Sequence, residues 1–294
     1  MKELFEPECI WPLGAELGEG PVWSDDDQAL WFVDIKQNRI HRFDPATAGQ
    51  TRWDAPTSPS FLAPIAGGHF ILGCKDGLRR FDPAAGAFGA ATPVEADLAG
   101  NRLNDGAVDA AGRLWFGSMD DGESAPTGRL YRADARGICS VDEDYVITNG
   151  PAASPDGRRL YHTDTADRQI HVFDLADDGT LSNKRLFVEI EAGAGHPDGS
   201  TVDAAGNLWT TLWGGWSARC YSPDGVLLRT VRFPCANVTK IAFGGADLRT
   251  AFATTAWNGL VGLERADQPL AGGLFSFLVD TPGQPQHLAA YDIS

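Results

Sequence analysis

One pattern recurs along nearly the whole chain: a run of small apolar residues, a tight turn, and a strand with an aromatic or large aliphatic residue at its centre. It reads EGPVWSDDDQALWFVD at 19–34, NDGAVDAAGRLW at 104–115, NGPAASPDGRRLYHTD at 149–164 and DGSTVDAAGNLW at 198–209. Aligned on that second strand, the central residues are Trp31, Ile71, Trp115, Tyr161, Trp209 and Phe252, at steps of 40, 44, 46, 48 and 43 residues. Such a period is too long for leucine-rich or ankyrin repeats and matches a four-stranded propeller blade. About ten residues beyond each centre comes a further strand, as in RIHRFDP, LRRFDP, RLYRAD, QIHVFD, RCYSPDG and the more degenerate GLFSFLV. No amphipathic helical period interrupts the series. The expected fold is therefore all-β, a six-bladed β-propeller with four-stranded antiparallel blades.

The repeats run from about residue 16 to 290 with no Pro/Ser-rich linker or shift of composition, so a single domain over 1–294 is expected. Cys9 to Leu13 is a candidate clasp that pairs with the last blade. The five cysteines are odd in number and lack CxxC spacing, which argues against a disulfide framework or a thiolate zinc site and for small apolar core residues. A net charge of -16 without any basic stripe disfavours nucleic acid, whose phosphates such a surface would repel. The N-terminal MKELFEPECIWPLG lacks the roughly 7 to 15 residue apolar core of a signal peptide, and no run approaches the ~18 apolar residues of a membrane span. These features predict a soluble cytoplasmic protein with no membrane partner; a monomer is the default, since a propeller requires no partner surface.

In a propeller the residues just before the inner strands gather at one rim of the central channel, where side chains can vary without disturbing the core. Counting back five positions from Ser24, Asp109, Ser154 and Asp203, which close four inner strands, gives Glu19, Asn104, Asn149 and Asp198. The same count from Gly67 and Gly244 gives Leu62 and Thr239 in blades two and six. Asn-Gly and Asp-Gly are also common turn dipeptides, and Asn149 or Asp198 taken alone fits that reading. Glu is not favoured in tight turns, and four oxygen-bearing side chains in one register point instead to a shared site. Two carboxylates placed together repel unless a proton or a cation lies between them, and hard divalent cations prefer oxygen donors. His196 could line the same rim, though a loop histidine is more often solvated than a ligand. Trp213 and Trp216 fit a packed face better than a sugar-stacking platform.

The segments LGEGPVW (17–23), NRLNDGAVDAAGRLWFGSMD (101–120), ITNGPAASPDGRRLYHTDT (147–165) and PDGSTVDAAGNLW (197–209) closely resemble the regucalcin and gluconolactonase-like lactonases, in the same order and across essentially the whole chain. The resemblance implies a divalent metal held by Glu19, Asn149 and Asp198, and substrate contacts from Arg102 and Asn104. The roles of Asp120 and Asp121 stay open. It implies hydrolysis of a sugar aldonolactone, such as xylono-, arabinono- or gluconolactone, to the aldonic acid in sugar catabolism, with Asp198 as general base. Calcium, manganese, magnesium, zinc and iron(II) all remain candidates for the one metal ion. An esterase or phosphotriesterase on the same scaffold and a non-catalytic binding platform are the alternatives; the former predicts an apolar channel mouth.

Overall fold

The computed structural model describes residues 4–293; the remaining positions of the expected 1–294 unit lie outside the described residues. Its strands form six four-stranded antiparallel sheets, each but the last built from strands consecutive in sequence. Blade one comprises Gly18–Ser24, Ala29–Asp34, Arg39–Asp44 and Gly49–Asp54. The first strands of the six blades, Gly18–Ser24, Pro59–Ile65, Asn101–Val108, Thr148–Ala153, His196–Val202 and Asn237–Gly244, pack side by side around the ring and line its channel. The single helix among the described residues, Leu263–Ala266, is one turn long, so none is long and apolar enough to cross a membrane.

The repeat sets the core. Trp31, Ile71, Trp115, Tyr161, Trp209 and Phe252 are each the second or third residue of a second strand and are at most 4% exposed. Each lies opposite the matching residue of its inner strand: Val22, Ala63, Ala107, Ala152, Thr201 and Ala242. The large side chains fill the space between neighbouring sheets, as where Trp31, Phe70 and Phe81 pack with Leu62 and Leu72. Each such side chain withdraws apolar surface worth roughly 1.5–3 kcal/mol. The repeated DAAG turn has its own cause. Asp109 accepts hydrogen bonds from the Ala111 and Arg113 amides and from Trp115 Nε1 at 2.8 Å. Asp203 does the same for Ala205, Asn207 and Trp209 Nε1. One carboxylate thus ends the inner strand, shapes the turn and satisfies a buried indole.

The ring closes in the sixth sheet, whose outermost strand is Glu8–Trp11, paired antiparallel with Leu274–Leu278. This is the clasp that Cys9 to Leu13 suggested. Past that blade the chain crosses the channel end opposite the rim: Gln284 Nε2 donates to the carbonyls of Ala153 and Val202, and the Ala289 and Ala290 amides to those of Pro64 and Gly112. All five cysteines are free; Cys74, Cys220 and Cys235 are buried, whereas Cys9 and Cys139 are half-buried.

Candidate metal and substrate site

Every inner strand carries a β-bulge opposite its second strand, between Glu19 and Val22, Pro59 and Phe61, Leu103 and Gly106, Asn149 and Ala152, Pro197 and Ser200, and Val238 and Lys240. A bulge breaks strict alternation and re-aims a side chain, and here it sits where the five-residue count pointed. The equivalent positions are Glu19, Ser60, Asn104, Asn149, Asp198 and Thr239, all buried. Ser60 corrects the expectation of Leu62. The turn from Ile65 to His69 is one residue shorter than that from Ser24 to Ala29, so Gly67 lies beyond the strand end and misplaces the count by two. Ser60 and Thr239 are committed to the scaffold: their hydroxyls donate to Gly73 O at 3.2 Å and Gly18 O at 2.6 Å.

Two glycines that follow site residues are demanded by the ring. Gly20 has φ +54°, and a Cβ there would stand 2.9 Å from Ser60 O of the next blade. Gly150 has φ +46°, and a Cβ there would stand 2.5 Å from the Ser200 amide nitrogen. Both combine a left-handed backbone with close approach of neighbouring inner strands. Gly150→Ala is expected to destabilise the protein by about 2–4 kcal/mol. A thermal or denaturant melt within about 0.5 kcal/mol of the parent would refute that account.

Glu19, Arg102, Asn104, Asn149 and Asp198 line one cavity of about 410 Å³. Its wall also includes Leu17, Met119, Ile147 and Trp213 on the apolar side, and Lys36, Glu123, Thr165, His196 and Asn258 on the polar side. His196 lies at the start of an inner strand rather than in a loop, and its Nδ1 is 3.0 Å from Thr165 O. Trp213 borders the cavity, contrary to a purely packing role, whereas Trp216 is exposed and does not line it.

The electrostatics of the two acids are unusual. Burial pushes the Glu19 carboxyl up to about 8, Asp105 adds to the rise, and the Gly20 amide, Lys240 and Arg102 oppose it. Asp198 is raised well above the ordinary carboxylate range by burial, then by Glu19 and Asp105. Glu19 Oε2 accepts only the Gly20 amide, at 2.9 Å, and Asp198 accepts no hydrogen bond among the described residues. Asn149 lies with them; its Nδ2 donates to Thr165 Oγ1 and its Oδ1 accepts from Asn104 Nδ2, both at 3.0 Å. No three of His, Cys, Asp and Glu are disposed to hold a metal among the described residues, so a third donor to a cation here would be a neutral oxygen, such as the Asn149 amide. Two buried carboxylates without cationic hydrogen-bond partners and a neutral amide oxygen suit a hard divalent ion.

Arg102 and Asn104 are buried and joined: Arg102 Nη1 donates to Asn104 Oδ1 at 2.5 Å. Asn104 Nδ2 also donates to Thr148 O at 2.7 Å, so its amide links the guanidinium to Asn149. Arg102 Nε is held by Asp121 at 3.1 Å, and Lys75 reaches the same carboxylate at 2.7 Å. Asp120 instead braces its own loop, accepting from the Gly122, Ser124 and Ala125 amides. The sequence reading missed one further pair, Asp105 and Lys240, joined at 2.5 Å and almost completely buried. A lysine inside the apolar run of Asn237–Gly244 was the available signal.

Comparison with known proteins agrees with this architecture. Residues 17–257 match the model of the SMP-30/Gluconolactonase/LRE-like region. The chain is 34% identical over 288 residues to a 6-deoxy-6-sulfogluconolactonase of Pseudomonas putida, spanning 96% of this chain and 98% of that one. It is also 34% identical to a pentonolactonase of Haloferax volcanii, over 92% and 93% of the two chains. The crystal structure of a calcium-binding protein, regucalcin, from Agrobacterium tumefaciens superposes with a TM-score of 0.92 at 27% identity, covering 97% of each chain. With a family match across most of its length and relatives at this identity over nearly all of it, the chain belongs to the SMP-30/gluconolactonase/LRE-like family.

Proposed function

We propose that this protein hydrolyses a sugar aldonolactone to the aldonic acid, with one divalent cation held by Glu19, Asn149 and Asp198. The observation that carries the reading is the pair of buried acids, Glu19 and Asp198, left without cationic hydrogen-bond partners on the wall of a cavity large enough for a sugar ring. The names of the relatives, lactonases of six- and five-carbon sugar acids, support the same reaction class. When bound, the cation supplies positive charge to the lactone carbonyl oxygen as the tetrahedral adduct forms.

The chain's own residues do the rest. Asp198, whose carboxylate oxygens accept no hydrogen bond among the described residues, takes a proton from the attacking water. Water oxygen bonds to the lactone carbonyl carbon, the bond from that carbon to the ring oxygen breaks, and the ring oxygen leaves with a proton as the new hydroxyl. Arg102 orients the ring: Nε and Nη1 are held by Asp121, Leu103 O and Asn104, and Nη2, which has no partner among the described residues, donates to a substrate hydroxyl. Asn104 fixes the guanidinium against Asn149. A fixed donor pattern of this kind rejects ligands that lack the matching hydroxyls.

The test is acid release from freshly prepared xylono- and gluconolactone by chelator-stripped protein, before and after single divalent ions are added. Restoration by one ion of at least about tenfold over the stripped protein is expected, given the charge stabilisation a bound cation supplies. Folded protein that stays at the spontaneous rate with every ion would overturn the reading. A second reading, hydrolysis of a less polar ester at the same site, is favoured by the apolar wall of Leu17, Met119, Ile147 and Trp213. Faster turnover of an aryl ester than of either lactone would select it.

A further inference from the structure

The buried pair of Asp105 and Lys240 has no task in the repeat or in the reaction above. Its position is specific. Gly20, Gly106 and Ser200, which follow the site residues along their strands, line a second cavity of about 100 Å³ together with Lys240, and residues 284–287 cover its far side. The pair therefore stands as a partition in the channel, with the proposed cation donors on one face and a second, smaller cavity on the other.

The partition touches the backbone immediately behind the donors. Asp105 Oδ2 accepts the Gly150 amide at 2.9 Å, and Oδ1 accepts the Gly106 amide at 2.7 Å and Lys240 Nζ at 2.5 Å. Lys240 Nζ also donates to Gly106 O at 3.2 Å. The Lys240 stem lies against Gly199, where a Cβ would stand 2.5 Å from that of Lys240. The third, fourth, fifth and sixth blades thus meet at this pair, directly behind Asn149 and Asp198. The pair also governs charge. Asp105 is a third buried carboxylate beside Glu19 and Asp198 and acts on both, and Lys240 opposes it. Removing a buried charge's only counter-ion leaves that charge uncompensated in low dielectric.

We propose that Asp105 and Lys240 are positioning residues that hold the Asn149–Gly150 and Asp198–Gly199 segments of the inner-strand bulges and keep the charge facing a bound cation at that of two carboxylates. The proposal rests on the reading of Glu19, Asn149 and Asp198 as cation donors, so its test begins there. Calcium and terbium(III) binding are measured by calorimetry for the parent and Glu19→Gln, then for Asp105→Asn, Lys240→Met and the double variant. Lys240→Met adds one net negative charge, and the terbium-to-calcium affinity ratio is expected to rise about tenfold. Asp105→Asn removes one, and the ratio is expected to fall about tenfold. The double variant is expected to return within about threefold of the parent, since its net charge matches. A pair that only braced the fold would move both affinities together and leave the ratio fixed, and that result overturns the proposal. If Lys240→Met does not fold, Asp105→Asn and the double variant decide alone. A parent that binds neither ion, or a Glu19→Gln variant that binds as the parent does, sinks the cation reading and the pair's role with it. Retained binding with unshifted ratios sinks the pair's role only.

Discussion

Asp198→Asn is expected to lower lactone turnover by roughly a hundredfold to ten-thousandfold, the share that general base catalysis contributes, even at cation concentrations high enough to restore occupancy after the loss of one ligand charge. The amide keeps an oxygen that can face the cation but cannot take a proton from water. No donor among the described residues is bonded to the Asp198 carboxylate, so the substitution breaks no hydrogen bond there and the fold should persist. It also removes one of the acids whose mutual repulsion burial intensifies. Steady-state kinetics alongside a cation titration separates the outcomes. Turnover within about threefold of the parent with the cation bound would remove Asp198 from the role of base. Weaker cation affinity with parent turnover restored at saturating cation would make it a ligand and not the base.

The stripped protein should lose stability as pH rises, and Glu19→Gln should abolish much of that loss. Glu19 titrates at about 8 in the fold because burial, then Asp105, disfavours its charge, against an ordinary value of 4.5. Between those values the folded chain holds a proton that the unfolded chain has released. The stabilising difference is complete below the unfolded value and is lost as pH climbs through the folded one. Asp198 is shifted in the same direction and adds to the slope. In chelator, the midpoint of thermal unfolding is expected to fall by roughly 5–10 °C between pH 5 and pH 9 on this account. Saturating divalent cation should flatten the slope, because the ion takes the place of the protons. Glu19→Gln should flatten it without any ion and lose cation affinity by about a hundredfold or more, as one of two ligand charges is gone. A parent profile that is flat in chelator would contradict the placement of two uncompensated acids in this cavity.

The fold was legible because one requirement is repeated six times. A large residue must fill the gap between adjacent sheets at an equivalent position of every second strand, and Trp31, Ile71, Trp115, Tyr161, Trp209 and Phe252 all land there. The gathering of Glu19, Asn104, Asn149 and Asp198 was legible for a related reason: the bulge that aims each inner-strand side chain lies at a constant distance from the strand end, whereas Arg102 was reached only through the family resemblance. That logic failed in blade two, where the shorter turn made Ser60 rather than Leu62 the equivalent residue. It could not reach Asp105 and Lys240, which are 135 residues apart and meet only because blades three and six face each other across the channel. Asp105 follows Asn104 directly, and strict strand alternation would send one of the two away from the axis. The bulge between Leu103 and Gly106 lets both take part.

Pairing of Glu8–Trp11 with Leu274–Leu278 also imposes a delay on synthesis. Among the described strands Glu8–Trp11 is synthesised first, yet it completes the sheet whose other strands are synthesised last. At about 5–20 residues per second, the interval between them is on the order of tens of seconds. Over that time five sheets can assemble in order, but the sixth cannot, and the edge of Leu274–Leu278 that will receive Glu8–Trp11 stays open until the two meet. Pulse-labelled chains should therefore acquire protease resistance in the sixth sheet last, as a distinct late step.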